Sequence, residues 1–183
     1  MRIISGTKKG YMIKAPRNLP IRPTTDRSKE SLFNILVNNF DLEDCSVLDL
    51  FSGSGNISLE FASRGAASIT SVDKHPGCVT FLQQEAKKLE FDNISALRAD
   101  VMQFLVNTEE KFDIIFCDAP YTTWVKYEEM VRLILDRALL KPEGWCIVEH
   151  HSVVKLDHVP EIFDRRAYGQ NIMSFFKLPE LIS

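Results

Sequence analysis

The chain has 183 residues, 45% of them apolar and 26% charged. Those are the proportions of one globular domain large enough to bury a core. No apolar run approaches the roughly 20 residues that span a bilayer, and the basic N-terminus lacks the apolar segment of a signal peptide, so a cytoplasmic protein is expected. Cys45, Cys78, Cys117 and Cys146 are scattered and make no metal-ligand spacing with His75, His150, His151 or His158. Buried, reduced thiols and no metal are expected.

The net charge of −3 hides an asymmetry. Residues 1–30 hold eight basic side chains (Arg2, Lys8, Lys9, Lys14, Arg17, Arg22, Arg27, Lys29) against two acidic ones, and the remainder holds 14 against 23. A basic arm on an acidic body suits a polyanion that docks at one end, and suits equally a solvated hairpin with no partner.

Residues 1–14 read as a short hairpin around a Gly6…Gly10 turn, and residues 15–25, with Pro16, Pro20 and Pro23, as loop. Thr24-Thr25-Asp26 is a helix start, and Leu32, Phe33, Leu36, Val37 and Phe40 follow at helical spacing. From Ser46, short apolar runs alternate with helical stretches. Strands are predicted at 47–51, 68–72, 94–98, 113–117 and 145–149, and helices to about Arg64, at 79–89, at 101–106 and at 127–140. Two last strands, 162–168 and 172–178, meet at Gly169-Gln170-Asn171 as an antiparallel edge hairpin. This rhythm predicts an α/β fold: a doubly wound, mostly parallel sheet with helices on both faces and a small N-terminal β-hairpin arm. The predicted division is an arm over 1–25 and a catalytic domain over 26–183.

The chemistry gathers at strand C-termini, the ligand edge of an open parallel sheet. The first strand ends Asp49-Leu50-Phe51-Ser52-Gly53-Ser54-Gly55. Its paired glycines let backbone approach a ligand, but Ser58 stands where the dinucleotide fingerprint wants a third glycine, and no P-loop lysine follows. Asp49 lies inside a strand, where an unpaired charge is costly. A role in binding an amino group is favoured over a cap on loop amides. Asp73, 20 residues after Gly53, has the spacing of a ribose-hydroxyl acceptor. Asp100, before Val101, either accepts from an adenine amino group or caps the helix that follows. The fourth strand ends Asp118-Ala119-Pro120-Tyr121, which reads equally as a clamp on a flat base or as a Pro-containing turn. Four acids at the ends of four successive strands favour the clamp.

Together these residues resemble the class I S-adenosylmethionine-dependent methyltransferases. The first motif is similar at Asp49 to Gly55, and Asp118 to Tyr121 resembles the Asp/Asn-Pro-Pro-Tyr motif of enzymes that methylate base amino groups. The opening Met1 to Gly6, the segment Arg22-Pro23-Thr24-Thr25-Asp26-Arg27, Glu30 to Leu36, Leu48 to Gly55, Ser63-Arg64-Gly65-Ala66 and Tyr168-Gly169 resemble the RsmD family. That resemblance implies methylation of the N2 amine of a guanine in small-subunit (16S) rRNA, with guanine 966 as the site. It implies Asp118, Ala119, Pro120 and Tyr121 as the catalytic set. S-adenosylmethionine (product S-adenosylhomocysteine) is then held by Asp49, Phe51, Gly53, Gly55, Asp73, Lys74, Asp100 and Val101. The implied RNA contacts are Arg2, Lys8, Lys9, Lys14, Arg17, Arg22 and Arg27, with a monomer acting on the small ribosomal subunit or its assembly intermediate. The family pattern has Pro where this chain has Ala119; the carbonyl expected to hold the substrate amine remains, so activity is expected to survive.

Three alternatives differ in kind. A DNA or other RNA amino methyltransferase would share the cofactor edge. A nicotinamide-dependent oxidoreductase is disfavoured by Ser58 and by the Asp118 edge. A catalytically silent RNA-binding relative would bind without transfer. The aromatic residues Phe33, Phe40, Phe61, Phe81, Phe112 and Phe116 are expected in the core, and His150 and His151 in a solvated loop.

Overall fold

The computed structural model describes residues 1–20, 26–119 and 127–179. In chain order the elements are α1 (Asp26–Val37), β1 (Ser46–Leu50), α2 (Asn56–Ser63), β2 (Ser68–Asp73), α3 (Pro76–Leu89), β3 (Ile94–Arg98), α4 (Val101–Asn107), β4 (Phe112–Asp118), α5 (Tyr127–Asp136), β5 (Leu140–His151), β6 (Ile162–Tyr168) and β7 (Asn171–Lys177). The sheet order is β3-β2-β1-β4-β5-β7-β6. The first five strands run parallel, and β7 pairs antiparallel with both β5 and β6. This is the class I methyltransferase fold. Strand order reverses between β1 and β4, which opens a crevice at their C-terminal ends.

Alternation along the strands builds two cores. Val47, Ile69, Ile114, Phe116, Ile147 and Phe175 face one way, under α1, α2, α3 and the N-terminal hairpin. Leu48, Leu50, Val72, Cys117, Val148 and Phe176 face the other, under α4 and α5. Phe33, Phe61, Phe81, Phe112 and Phe116 are buried as expected, and Phe40 stands edge-on to Trp145 at 4.9 Å. All four cysteines are free and buried. No helix among the described residues is long and apolar enough to cross a membrane.

The two largest boundary differences from expectation flank one turn. The last predicted helix ends at Asp136, because Ala138 turns left-handed at φ 49° and Leu140 pairs with Phe112. β5 therefore starts at Leu140 and runs twelve residues to His151. Its length also corrects the solvated histidines: His150 is a buried strand residue whose Nε2 lies 2.8 Å from Ser174 Oγ. Burial holds its imidazole below the usual histidine range.

Residues 1–14 do form a hairpin, with an antiparallel bridge between Arg2 and Met12. It lies against the body rather than standing off it. Ile3 and Ile13 are buried in the α1–α3 core.

Candidate active site

The turn after β1 is held by its own amides. Ser52 N–H donates to Val72 O (3.1 Å), Gly53 N–H to Asp73 Oδ2 (2.9 Å) and Gly55 N–H to Ser52 O (2.8 Å). Gly53 and Gly55 have φ of 53° and 73°, which glycine tolerates and other residues resist. A Cβ on Gly55 would also come within 2.3 Å of Leu82 Cδ1. Phe51 takes φ 58° with a bulky side chain, a costly conformation of the kind that concentrates at functional turns.

Asp49 is 2% exposed and points onto the α2 face. Its Oδ2 accepts from the Ser58 hydroxyl. The same hydroxyl meets Ser71 Oγ at 2.7 Å, on the strand beside it. Ser58, which breaks the dinucleotide fingerprint, is thus the partner that a buried Asp49 requires. Burial, with a smaller push from Asp73, raises the Asp49 carboxyl to about 7 against the ordinary 3.8, while the Ser58 bonds pull it down.

Asp73 uses both oxygens on backbone, Oδ2 on Gly53 N–H and Oδ1 on His75 N–H (2.8 Å), so it fixes the β1 turn to the start of α3. Each oxygen keeps a further lone pair for a hydroxyl donor. Lys74 beside it is exposed. Asp100 is exposed and caps α4, its Oδ1 accepting from Gln103 N–H at 3.1 Å. Val101 turns its side chain into the α4–α5 core.

β4 carries Asp118 to the same edge, on the far side of the crevice from Asp49. Ala119 is buried, and its carbonyl accepts from the Tyr127 hydroxyl at 3.3 Å. A carbonyl has two lone pairs, so one remains for an incoming N–H. Pro120 and Tyr121 lie outside the described residues, as does Arg22. The donors and acceptors present suit a cofactor with an ammonium, two ribose hydroxyls and an adenine amine. Carboxylates line the edge and a turn too tight for side chains lies between them.

Of the basic residues, Lys9, Lys14, Arg17 and Arg27 are exposed. Arg2 Nε pairs with Asp26 at 2.8 Å, and Lys8 Nζ sits 3.8 Å from Glu90. Lys29 behaves differently. It is fully buried, with Nζ 3.1 Å from Glu60, 2.9 Å from Asn56 Oδ1 and 2.5 Å from the Arg2 carbonyl. Desolvation holds its ammonium below the ordinary lysine range despite the pull of Glu60. Glu60 also accepts from Ile4 N–H (2.8 Å), Ser5 N–H (3.0 Å) and Arg64 Nε (2.9 Å). One buried ion pair thereby joins the hairpin, α1 and α2. At the other end of the sheet, Tyr168 reaches Ser31 of α1 at 2.5 Å.

Sequence reasoning missed Ser58, Ser71, Glu60, Asn56 and Tyr127, and counted Lys29 only as arm charge. Lys29 had a signal. It stands three and four residues before Leu32 and Phe33, on the buried stripe of α1. Glu60 four residues before Arg64 is a helical pair, but nothing local marks it as buried.

The family model described as Conserved hypothetical protein 95 matches residues 1–177. The chain is 36% identical over 160 residues to "Putative rRNA methyltransferase YlbH" of Bacillus subtilis, covering 85% of each chain. It is 32% identical over 160 residues to "Ribosomal RNA small subunit methyltransferase D" of Escherichia coli K12, covering 87% of this chain and 79% of that one. The solved "Putative methyltransferase yhhF from Escherichia coli" superposes with a TM-score of 0.85 at 28% identity, over 96% of both chains. With its fold, its glycine turn and its row of strand-end acids, the chain belongs to the RsmD family, whose model spans it almost from end to end.

Proposed function

We propose that this chain transfers a methyl group from S-adenosylmethionine to the exocyclic N2 amine of a guanine in small-subunit 16S rRNA, with guanine 966 as the site the family suggests. The observation that carries the proposal is the pairing across the crevice. The glycine turn and Asp73 lie on one side, and Asp118 with the Ala119 carbonyl on the other.

The cofactor supplies an electrophilic methyl on a sulfonium. Asp73 accepts from the ribose hydroxyls and Asp100 from the adenine amine, while the Gly53–Gly55 backbone lies against the methionine portion. Asp49 Oδ2 is engaged by Ser58, so the residue acts by fixing the start of α2 and by placing negative charge near the cofactor's ammonium. The guanine amine is a weak nucleophile because its lone pair is delocalised into the ring. Asp118 and the free lone pair of the Ala119 carbonyl accept its two N–H bonds and favour a pyramidal nitrogen aimed at the methyl. As the N–C bond forms the amine proton becomes acidic and leaves toward Asp118. Positioning supplies much of the acceleration. Tyr121 stacks on a guanine that has left its own helix, worth roughly 1–3 kcal/mol. Residues 26–183 carry this chemistry and residues 1–25, with Arg27, bind RNA phosphates. The protein acts as a monomer on the subunit or its assembly intermediate.

The test is transfer of labelled methyl to small subunits that lack the modification, followed by nucleoside analysis and mapping. Label in N2-methylguanosine at one position is expected. Label in a different nucleoside would overturn the assignment of the amine.

A further inference from the structure

Resting on the RNA substrate proposed above, we propose that the basic surface is two phosphate-binding patches at opposite edges of the sheet. The second is built from Lys8 and Lys9 of the hairpin with Lys87 and Lys88 of α3. The RNA then runs down the α2–α3 face instead of touching only the mouth of the crevice.

The geometry begins with how the hairpin is fastened. Near the crevice, Ser54 Oγ donates to Met1 Sδ at 3.4 Å. At its tip, Thr7 N–H donates to Ser63 O (2.7 Å) and Lys8 N–H to Ser63 Oγ (3.0 Å). Ser54 precedes α2 and Ser63 ends it, so the helix, about 12 Å long, separates the two anchor points. The tip cannot swing toward the crevice without losing those bonds. It is also pressed close: a Cβ on Gly6 would fall 1.8 Å from the Ser63 carbonyl oxygen. Lys8 and Lys9 therefore sit at the strand N-terminal edge, away from Asp73 and Asp118.

α3 brings further charge to that end, with Lys87 and Lys88 in its last turn. Lys88 Nζ lies 5.1 Å over the Tyr11 ring, which joins the helix end to the returning hairpin strand. Between them is a hollow of about 350 Å³ lined by Tyr11, Met12, Lys14, Glu85 and Lys88. Met12 is 53% exposed there, an apolar surface beside ammonium groups, as a sugar–phosphate backbone would meet. Two acids pair with part of the cluster: Glu85, buried, takes the Tyr11 hydroxyl at 2.8 Å and lies 3.8 Å from Lys88 Nζ, and Glu90 lies 3.8 Å from Lys8 Nζ. Exposed Asp92 follows two residues on. Among the described residues Lys9 and Lys87 make no ion pair, so the cluster keeps a positive excess. Lys87 and Lys88 also complement the α3 dipole, but that effect does not account for Lys8 of the hairpin reaching the same helix end at Glu90.

Phosphate contacts of this kind orient the duplex without reading sequence. Their consequence is a footprint that extends away from the modified guanine by at least the length of α2.

Two measurements test this with the full-length protein and small ribosomal subunits. Photo-crosslinkers are placed singly at Lys9, Lys88 and Arg27. Crosslinks from Lys9 and Lys88 to rRNA nucleotides distinct from those reached from Arg27 are expected. Crosslinks to ribosomal protein, or none to RNA from Lys9 and Lys88 while Arg27 reacts, would overturn the second patch. The combined Lys9→Gln, Lys87→Gln, Lys88→Gln variant, exposed at all three positions, is titrated against 16S rRNA over a salt series. A roughly tenfold weaker affinity and a salt slope shallower by about two are expected. Unchanged affinity and slope would overturn the patch. If the parent protein transfers no methyl to the subunits, the proposed function fails, whatever the crosslinks show.

Discussion

The two faces of the sheet are held by different forces. On the α4–α5 face, Leu105, Met130, Val131 and Ile134 pack on Leu48, Leu50 and Cys117 in a core that is almost wholly apolar. On the α1–α3 face the apolar core is threaded with buried charge: Asp49 under Ser58, and Lys29 against Glu60 between hairpin and helix. Buried ion pairs are poor sources of net stability compared with well-packed apolar groups. Their concentration on the face that carries the glycine turn and hairpin shows where geometry is being specified.

That contrast can be broken by mutation, most severely at Lys29. Lys29→Met leaves buried Glu60 with Arg64 and two hairpin amides only, and takes the donor from Asn56 Oδ1 and the Arg2 carbonyl; it is expected to cost ~3–5 kcal/mol, read by urea denaturation. Ile134→Ala on the opposite face removes packing alone and is expected to cost ~2–5 kcal/mol. The two differ in function. The Lys29 variant should also weaken cofactor binding, because Asn56 at the start of α2 loses its partner, while the Ile134 variant should bind cofactor as the parent does. Equal effects on cofactor binding would erase the distinction between the faces.

Asp49 sharpens it further. Its folded value of about 7 exceeds its ordinary 3.8, so the folded protein holds this proton longer than the unfolded chain. Stability from this group therefore falls as pH rises from about 4 to about 7 and is level above that. Asp49→Asn removes the fall. Its melting temperature should exceed that of the parent by a few degrees at pH 8, and the gap should shrink as pH drops toward 4. The same variant should bind S-adenosylmethionine less tightly. A gap independent of pH would contradict the buried charge.

The smallest test is a pair of glycines in the hairpin. Gly6 and Gly10 both have positive φ, 82° and 87°. Only Gly6 has backbone in the way of a Cβ; around Gly10 nothing lies within 4 Å. Gly10→Ala should cost about 1 kcal/mol in backbone strain, and Gly6→Ala clearly more, measured by thermal melting.

The fold was legible because period-two and helical spacing each pointed to one answer, and Gly169 marked a turn that the structure keeps at positive φ. The acids at the strand ends were legible by position but not by partner. Spacing places Asp49, Asp73 and Asp100 on one edge; it does not say that the first bonds Ser58, the second two backbone amides and the third its own helix. Lys29 shows the deeper limit. Its charge suggested solvent, and only the arrival of Glu60, 31 residues later in sequence, makes its burial tolerable. The end of α5 was misplaced because Leu139 and Leu140 continue the helical pattern while belonging to the next strand's core.

The central claim is that Asp118 and the Ala119 carbonyl hold the reacting amine while the cofactor is bound on the other side of the crevice. The most direct measurement is methyl transfer by Asp118→Ala with S-adenosylmethionine binding measured on the same preparation. Transfer to small subunits should fall by at least ~10²-fold, the loss expected for one preorganised hydrogen-bonding group at a reacting centre, with cofactor affinity within about threefold of the parent. Near-parental transfer would contradict the role assigned to Asp118. Loss of cofactor binding in parallel with activity would place Asp118 on the wrong side of the crevice.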